Sequence, residues 1–398
     1  MVALVANLGS LASRQPALRS CSRGYPSRNI LGCLRAAWTL AEPALSAADA
    51  APFASKRERR ANGEAAGPSI VRRVLAAWYD RPGPAAEVLT VGEMVDPEPG
   101  PGEVRVRVAV SGVNPGDTKK RGDWVGYGMP YPRVIPHTDG AGVIDAVGAN
   151  VDAGRIGERV WVYGAQSYRA FGTAAQLTVV PADEAVALPD SVTDELGACL
   201  GIPGITAHRA VFGDGPVEGR TVLVQGVLGA VGSIAAQLAV WRGATVIGTV
   251  RRQADLAQVD RAIPHRVALD EADPVAAIRR LAPEGVDRIV EVAFSDNVEL
   301  DAAVAAPEAV IAAYATREPR PAFDFWPMLF ANLTIRLLGS DDFPAQAKRQ
   351  AAKDLTAAAG AGALRVPIAA PLPLDRIADA HDKVDAGSRE RVVVRIPG

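Results

Sequence analysis

Along Glu103–Val110 the apolar positions fall on every second residue. Val104, Val106, Val108 and Val110 share one face, and Arg105 and Arg107 the other. That period predicts a strand with one buried side. Val74–Tyr79, Gly140–Val147, Glu158–Tyr163, Ala174–Val180 and Ala185–Leu188 are further strand candidates, punctuated by turn sequences such as Pro97–Gly102. The region from Val74 to about Leu188 therefore reads as a β-barrel-like domain. Thr193–Phe212 then has a helical pattern. Two β-branched runs, Thr221–Gln225 and Ala244–Val250, flank a helix-compatible segment from Ser233 and make a βαβ unit.

The pattern keeps alternating through Pro274–Leu281, Arg288–Val292, Val298–Ala305, Val310–Ala313 and Leu333–Leu338. This predicts a doubly wound α/β sheet. A helix over Asp375–Ala386 and a strand over Arg391–Ile396 are expected to return to the barrel. The expected domains are an N-terminal extension (1–71), the barrel (72–195, completed by about 340–398) and the doubly wound domain (196–339).

Between the two strands of the βαβ unit, Gly226, Gly229 and Gly232 have G-x-x-G-x-x-G spacing. Such a turn brings bare backbone N–H groups and a helix start to one point, where they can hold a pyrophosphate. Ala230 and Val231 lie within it. The same glycines would also serve tight helix–strand packing alone. At the end of the second strand, dinucleotide folds that read ribose hydroxyls place an acid. Here Arg251 and Arg252 stand instead, with no acid before Asp255. Two guanidinium groups suit a 2′-phosphate, so NADPH is expected over NADH. Two solvated surface arginines are the alternative.

Composition narrows the classes. The chain has 398 residues, 48% hydrophobic, enough for two packed domains. A net charge of −2 argues against nucleic acid or anionic membrane as main partner. No apolar run is long and clean enough to span a bilayer. The three cysteines, Cys21, Cys33 and Cys199, make no disulfide framework, so a reducing, cytoplasmic compartment is expected. Residues 1 to about 70 are rich in Ala, Arg, Ser and Pro. They read as a transit peptide, a disordered tail or a start assigned too far upstream, the last two preferred.

The stretches SGVNPGD (Ser111–Asp117), YPRVIPHTDGAGVIDAVG (Tyr131–Gly148), GERVWVYG (Gly157–Gly164), GIPGITAHRAV (Gly201–Val211) and VLVQGVLGAVG (Val222–Gly232) occur in that order. Together they resemble the zinc-free NADPH:quinone oxidoreductase branch, zeta-crystallins included, of the medium-chain dehydrogenase/reductase superfamily. The resemblance runs from about residue 72 to the C-terminus. It implies a GroES-like catalytic barrel followed by a Rossmann domain. Relatives that use catalytic zinc have Gly-His-Glu where this chain has His137-Thr138-Asp139, and a metal ligand near Asn114. No catalytic zinc site can be built from these residues.

The resemblance implies a nicotinamide pocket lined by Asn114 and Asp117, although Asn-Pro-Gly-Asp is also an ordinary turn. Lys119 falls where relatives often carry a tyrosine, and could donate to the acceptor oxygen; a solvated basic run is the alternative. Trp124 and Tyr127 could stack on a flat ring. Thr206 matches a threonine that approaches the cofactor. Ala293, Tyr314 and Thr316 close late strands near the carboxamide, and Arg391 falls where relatives carry a cofactor-proximal lysine. His208 and Cys199 are expected on one helix as buried side chains. The activity implied is hydride transfer to a quinone or enone. An enoyl or alkenal reductase and an NADPH-binding protein without turnover are the alternatives. Relatives are often homodimers.

Overall fold

The valine face predicted from alternation is the spine of the first half of the computed structural model, which describes residues 72–398. There the chain forms β1 (Arg73–Trp78), α1 (Ala85–Val88), β2 (Thr90–Val95), β3 (Glu103–Gly112), α2 (Pro115–Arg121), β4 (Asp139–Val147), β5 (Arg159–Val162), β6 (Leu177–Pro181) and β7 (Ala185–Ala187). The four valines of β3 are buried and Arg107 is exposed, as the period of two requires. β4 pairs along one edge of β3. The other edge is shared, β6 against its first half and a returning C-terminal strand against its second.

The link to the second half is α3 (Asp194–Gly197) and α4 (Ile202–Phe212). The single helix expected over Thr193–Phe212 is thus two, broken at Ala198–Gly201. Pro203 in the first turn of α4 supplies no N–H and starts a new helix. Gly201 is needed before it, because a Cβ there would lie 2.0 Å from the Asp139 carboxylate. Cys199 therefore sits in the break, buried, and only His208 is on α4.

Next come β8 (Thr221–Val224), α5 (Ala230–Trp241), β9 (Thr245–Val250), β10 (His265–Ala268), α6 (Pro274–Leu281), β11 (Val286–Glu291), α7 (Phe294–Val304), β12 (Ala305–Ala313), α8 (Phe325–Phe330) and β13 (Thr334–Leu337). Their strands form one parallel sheet in the order β10-β9-β8-β11-β12-β13. The order reverses at β8, which makes the ends of β8, β9 and β11 the switch point where such sheets bind ligands. Both faces are covered: Leu223, Ile247, Ile289 and Ile311 pack into one cluster, and Val222, Val224, Val246 and Val290 into the other. Each such side chain contributes about 1.5–3 kcal/mol by burial.

The chain ends with α9 (Ala345–Gly360), β14 (Leu372–Pro373), α10 (Ile377–Asp385) and β15 (Val393–Arg395), the strand that returns to β3. One core cluster runs from Val110, Trp161 and Leu188 in the barrel to Ile205, Ile234 and Leu355 beyond it. The Trp161 indole donates to Thr356 on α9 at 3.0 Å. None of the described helices is long and apolar enough to cross a membrane. The readings of residues 1–71 fall outside the described residues.

Candidate active site

Two half-sites face the junction of barrel and parallel sheet. On the sheet side, the turn after β8 takes Gly226 to φ +68°, a conformation that favours glycine. A Cβ on Gly232 would lie 2.5 Å from the Gly226 carbonyl, so α5 can approach the turn this closely only without a side chain. The twelve-residue helix α5 begins at Ala230 with no side-chain cap, leaving the first N–H groups, Val231 and Gly232 among them, without intrahelical partners. At the end of β9, Arg251 and Arg252 are exposed. The nearby acid, Asp255, is taken by Arg389 at 2.9 and 2.8 Å, and neither arginine has a hydrogen-bond partner among the described residues. Glycine turn, open helix start and two unpaired guanidinium groups suit a dinucleotide with a 2′-phosphate. Thr206 lies buried on α4, and Tyr314 follows β12 with its N–H on the Glu291 carbonyl at 3.0 Å.

The barrel side is built differently. Asn114 and Asp117 are not in a loop as the turn sequence suggested: Asn114 caps α2, Pro115 opens it, and Asp117 closes a capping box. Asp117 accepts from the Asn114 N–H (2.8 Å) and the Thr138 hydroxyl (3.2 Å). The Asn114 amide donates to Asp139 at 2.7 Å and accepts from Arg391 Nη2 at 3.0 Å. Asp139 also accepts from the Ile202 N–H, 2.9 Å to each oxygen, which ties the start of α4 to the barrel. Burial pushes Asp117 up to about 6 against the opposing charge of Lys120. Burial likewise pushes Asp139 up to about 7, with the Asn114 hydrogen bond opposing and Asp117 adding to the rise. Arg391 is thus buried against Asn114, at the centre of this cluster.

Behind the cluster, the direction of a second chain of hydrogen bonds can be worked out. Thr173 donates to the Asp139 carbonyl at 2.6 Å, so Ser111 donates to Thr173 (2.7 Å) and accepts from His137 Nδ1 (2.8 Å). His137 Nε2 must then accept from His381 Nε2 at 2.9 Å. Burial holds both imidazoles below their ordinary range, His381 down to about 3. His137 is therefore neutral and fully engaged. Among the described residues no group of three or more His, Cys, Asp or Glu is arranged to hold a metal.

Other expected residues stand apart. Lys119 is exposed, its ammonium 5.4 Å from the Trp124 ring centroid, and Tyr127 is 85% exposed. It is Lys120 that turns inward, donating to Gln166 (3.3 Å) and Asp341 (3.1 Å). Sequence reading missed Lys120, Asp139 and Asp341. The helical register of α2 separates Lys119 from Lys120, but only with the helix recognised.

Residues 100–190 match the family described as Alcohol dehydrogenase GroES-like domain, and residues 230–354 the family described as Zinc-binding dehydrogenase. A quinone oxidoreductase of Homo sapiens is 30% identical over 333 residues, 81% of this chain and 97% of that protein. The structure of a mycobacterial quinone oxidoreductase superposes with a TM-score of 0.72 at 25% identity, covering 81% of this chain and 99% of that one. A mycobacterial protein complexed with NADPH has a TM-score of 0.68 at 24% identity, covering 82% and 100%. With the barrel, the parallel sheet and the glycine turn in the same order, this chain belongs to the medium-chain dehydrogenase/reductase superfamily of oxidoreductases, with quinone oxidoreductases among its relatives.

Proposed function

We propose that this chain is an NADPH-dependent reductase that passes hydride to quinones or related conjugated carbonyls without a metal ion. The observation that carries the reading is the pair of exposed, unpartnered guanidinium groups of Arg251 and Arg252 beside the glycine turn. Gly226, Gly229, Ala230, Val231 and Gly232 would hold the pyrophosphate, and Arg251 and Arg252 the 2′-phosphate. Thr206, Tyr314 and Asn114 would flank the nicotinamide, which supplies the hydride. Asp117, Asp139 and Arg391 act through Asn114: Asp117 holds its backbone N–H, and Asp139 and Arg391 fix its side-chain amide between them.

The metal-independent part rests on commitment of the side chains. Asn114 and Thr138, which fall at the ligand positions of zinc-using relatives, and His137, which falls on their glycine, are each engaged in the protein's own hydrogen bonds. Reducing a simple ketone would leave an alkoxide in need of a Lewis acid. A quinone or enone spreads the added charge into a phenolate or enolate, so hydrogen-bond donors suffice. Lys120 is the inward cation for that task, and Lys119 and Tyr127 are read as rim residues.

Two companion readings belong here. β13 is an edge strand with Leu337 75% exposed, and the stacked Trp326 and Phe330 of α8 are 64% and 75% exposed. We read this face as the seat of a second copy, which light scattering of the wild type and Leu337→Lys tests. Cys199 is a buried free thiol, in keeping with a reducing cytoplasm. The activity is tested by NADPH oxidation with a panel of quinones, enones and enoyl thioesters. Turnover of the thioesters alone would move the assignment to enoyl reduction. Binding of NADPH with no consumption would leave only a binding protein.

A further inference from the structure

Beneath the glycine turn runs a chain of side chains with no access to solvent. Gln225, Thr249, Glu291 and Asp301 are each at 0% exposure. They come from the ends of β8, β9 and β11 and from α7, so the chain crosses the switch point of the sheet. The Gly226 N–H donates to Thr249 Oγ1 at 3.2 Å, and Thr249 Oγ1 donates to Gln225 Oε1 at 2.6 Å. Gln225 Nε2 then donates to Asp301 Oδ1 at 2.8 Å. With the single Thr249 proton directed at Oε1, the Gln225 amide presents its Nε2 to Asp301 and leaves Asp301 Oδ1 an acceptor. At the far end Glu291 accepts from the Ala293 N–H and from Asn297 Nδ2 at 3.1 and 3.2 Å.

The unresolved accounting lies between the two acids. Asp301 faces Glu291 and Gln225, whereas Glu291 faces Asp301, Asn297, Tyr314 and the Val292 and Ala293 N–H groups. None of these is a cation. Two ionised carboxylates facing each other at zero exposure would repel strongly, so the pair must hold a proton. Glu291 already receives several N–H bonds and is the better anion. Asp301 receives only the Gln225 amide, and its Oδ2 is buried without a partner. A proton on that oxygen turns an orphaned acceptor into a donor toward Glu291. Burial and the Glu291 charge both push Asp301 well above the usual carboxylate range, in agreement.

We infer that Asp301 is a neutral carboxylic acid donating to Glu291, and that Thr249, Gln225, Asp301 and Glu291 form one positioning network for the coenzyme site. From the Gly226 N–H onward its hydrogen bonds point toward Glu291, which the Ala293 N–H and the Asn297 amide reach from the other end. It fixes Gly226 at one end and Ala293, on the expected nicotinamide side, at the other. The coenzyme part of this inference rests on the dinucleotide reading given above; the protonation of Asp301 does not.

The test uses the full chain without coenzyme and then with NADPH. Infrared difference spectra of wild type against Asp301→Asn at neutral pH should show the carbonyl stretch of one protonated carboxyl that the variant lacks. Absence of that band, or its persistence in Asp301→Asn and loss in Glu291→Gln, would overturn the inference. In NADPH titrations Asp301→Asn, whose amide can donate as the acid does, should bind within about threefold of wild type, and Asp301→Leu about tenfold or more weaker. Thr249→Val, which breaks the chain nearer the turn, should also weaken binding by about fivefold to tenfold, and it serves if Asp301→Leu does not fold. Wild-type affinity in both apolar variants would overturn the positioning role. Failure of wild type to bind NADPH, with the carboxyl band present, would instead remove the coenzyme reading and leave the acid pair standing.

Discussion

The two half-sites satisfy their polar groups in opposite ways. On the barrel side Asn114, Asp117, Asp139 and Arg391 bond to one another, and the Ile202 N–H adds a donor to Asp139. On the sheet side the start of α5 has no side-chain cap, and Arg251 and Arg252 have no partner among the described residues. The barrel cluster, in which the Arg391 Nε alone is buried without a partner, is rigid and offers few new bonds, so it sets geometry. An unsaturated one is completed by a ligand, so it supplies affinity. On the proposed reading, that difference gives tight binding to the glycine-turn half and orientation to the barrel half.

The sharpest way to break this division is Gly232→Val. Its side chain has to occupy the space next to the Gly226 carbonyl, and loss of NADPH binding by more than about a hundredfold is expected in fluorescence titration. Retained binding would mean that the turn does not touch the coenzyme. On the other side, Asn114→Leu leaves the buried Arg391 guanidinium and the buried Asp139 carboxyl without the hydrogen bonds of the Asn114 side chain. It should cost about 3 kcal/mol of stability, read as a lower denaturation midpoint. A midpoint like that of wild type would show the cluster to be loose.

Arg251→Ala with Arg252→Ala comes next in size. NADPH affinity should fall about tenfold to a hundredfold and NADH affinity hardly at all, as befits lost charge-assisted bonds. Equal losses for both coenzymes would show that the arginines do not read a phosphate.

A pH experiment sharpens the saturated side. Asp139 is raised to about 7, so the folded chain holds a proton there that the unfolded chain releases near pH 4. Its contribution to stability is full below about pH 4 and is lost as pH rises through about 7. Asp139→Asn should therefore flatten the fall in stability across that window. An unchanged slope would place the titration elsewhere. Smallest of all, Lys119→Ala and Tyr127→Phe, both on exposed side chains, should alter turnover by less than about twofold.

Much of the local structure of the glycine-turn half was legible in the sequence because local rules govern it. A β-branched run, glycines three apart and a basic corner all lie within Thr221–Arg252, and the period-two valines of β3 are equally local. The acceptor half depends on contacts distant in sequence. Arg391 reaches Asn114 across 277 positions, and Lys120 meets Asp341 across 221. The turn-like Asn-Pro-Gly-Asp also starts a helix, because proline and a capping box serve that role as readily as a turn. Asp301 carried no local signal: an acid inside a helix reads as solvated until the strands beside it are assembled.

The most direct test of the account is steady-state reduction of a quinone by purified chain, with NADPH and NADH in parallel. Quinone-dependent oxidation of NADPH is expected, undiminished by exhaustive treatment with a metal chelator, and much slower with NADH at limiting coenzyme. Activity that disappears with the chelator and returns with zinc, or no oxidation of NADPH by any quinone or enone, would contradict it.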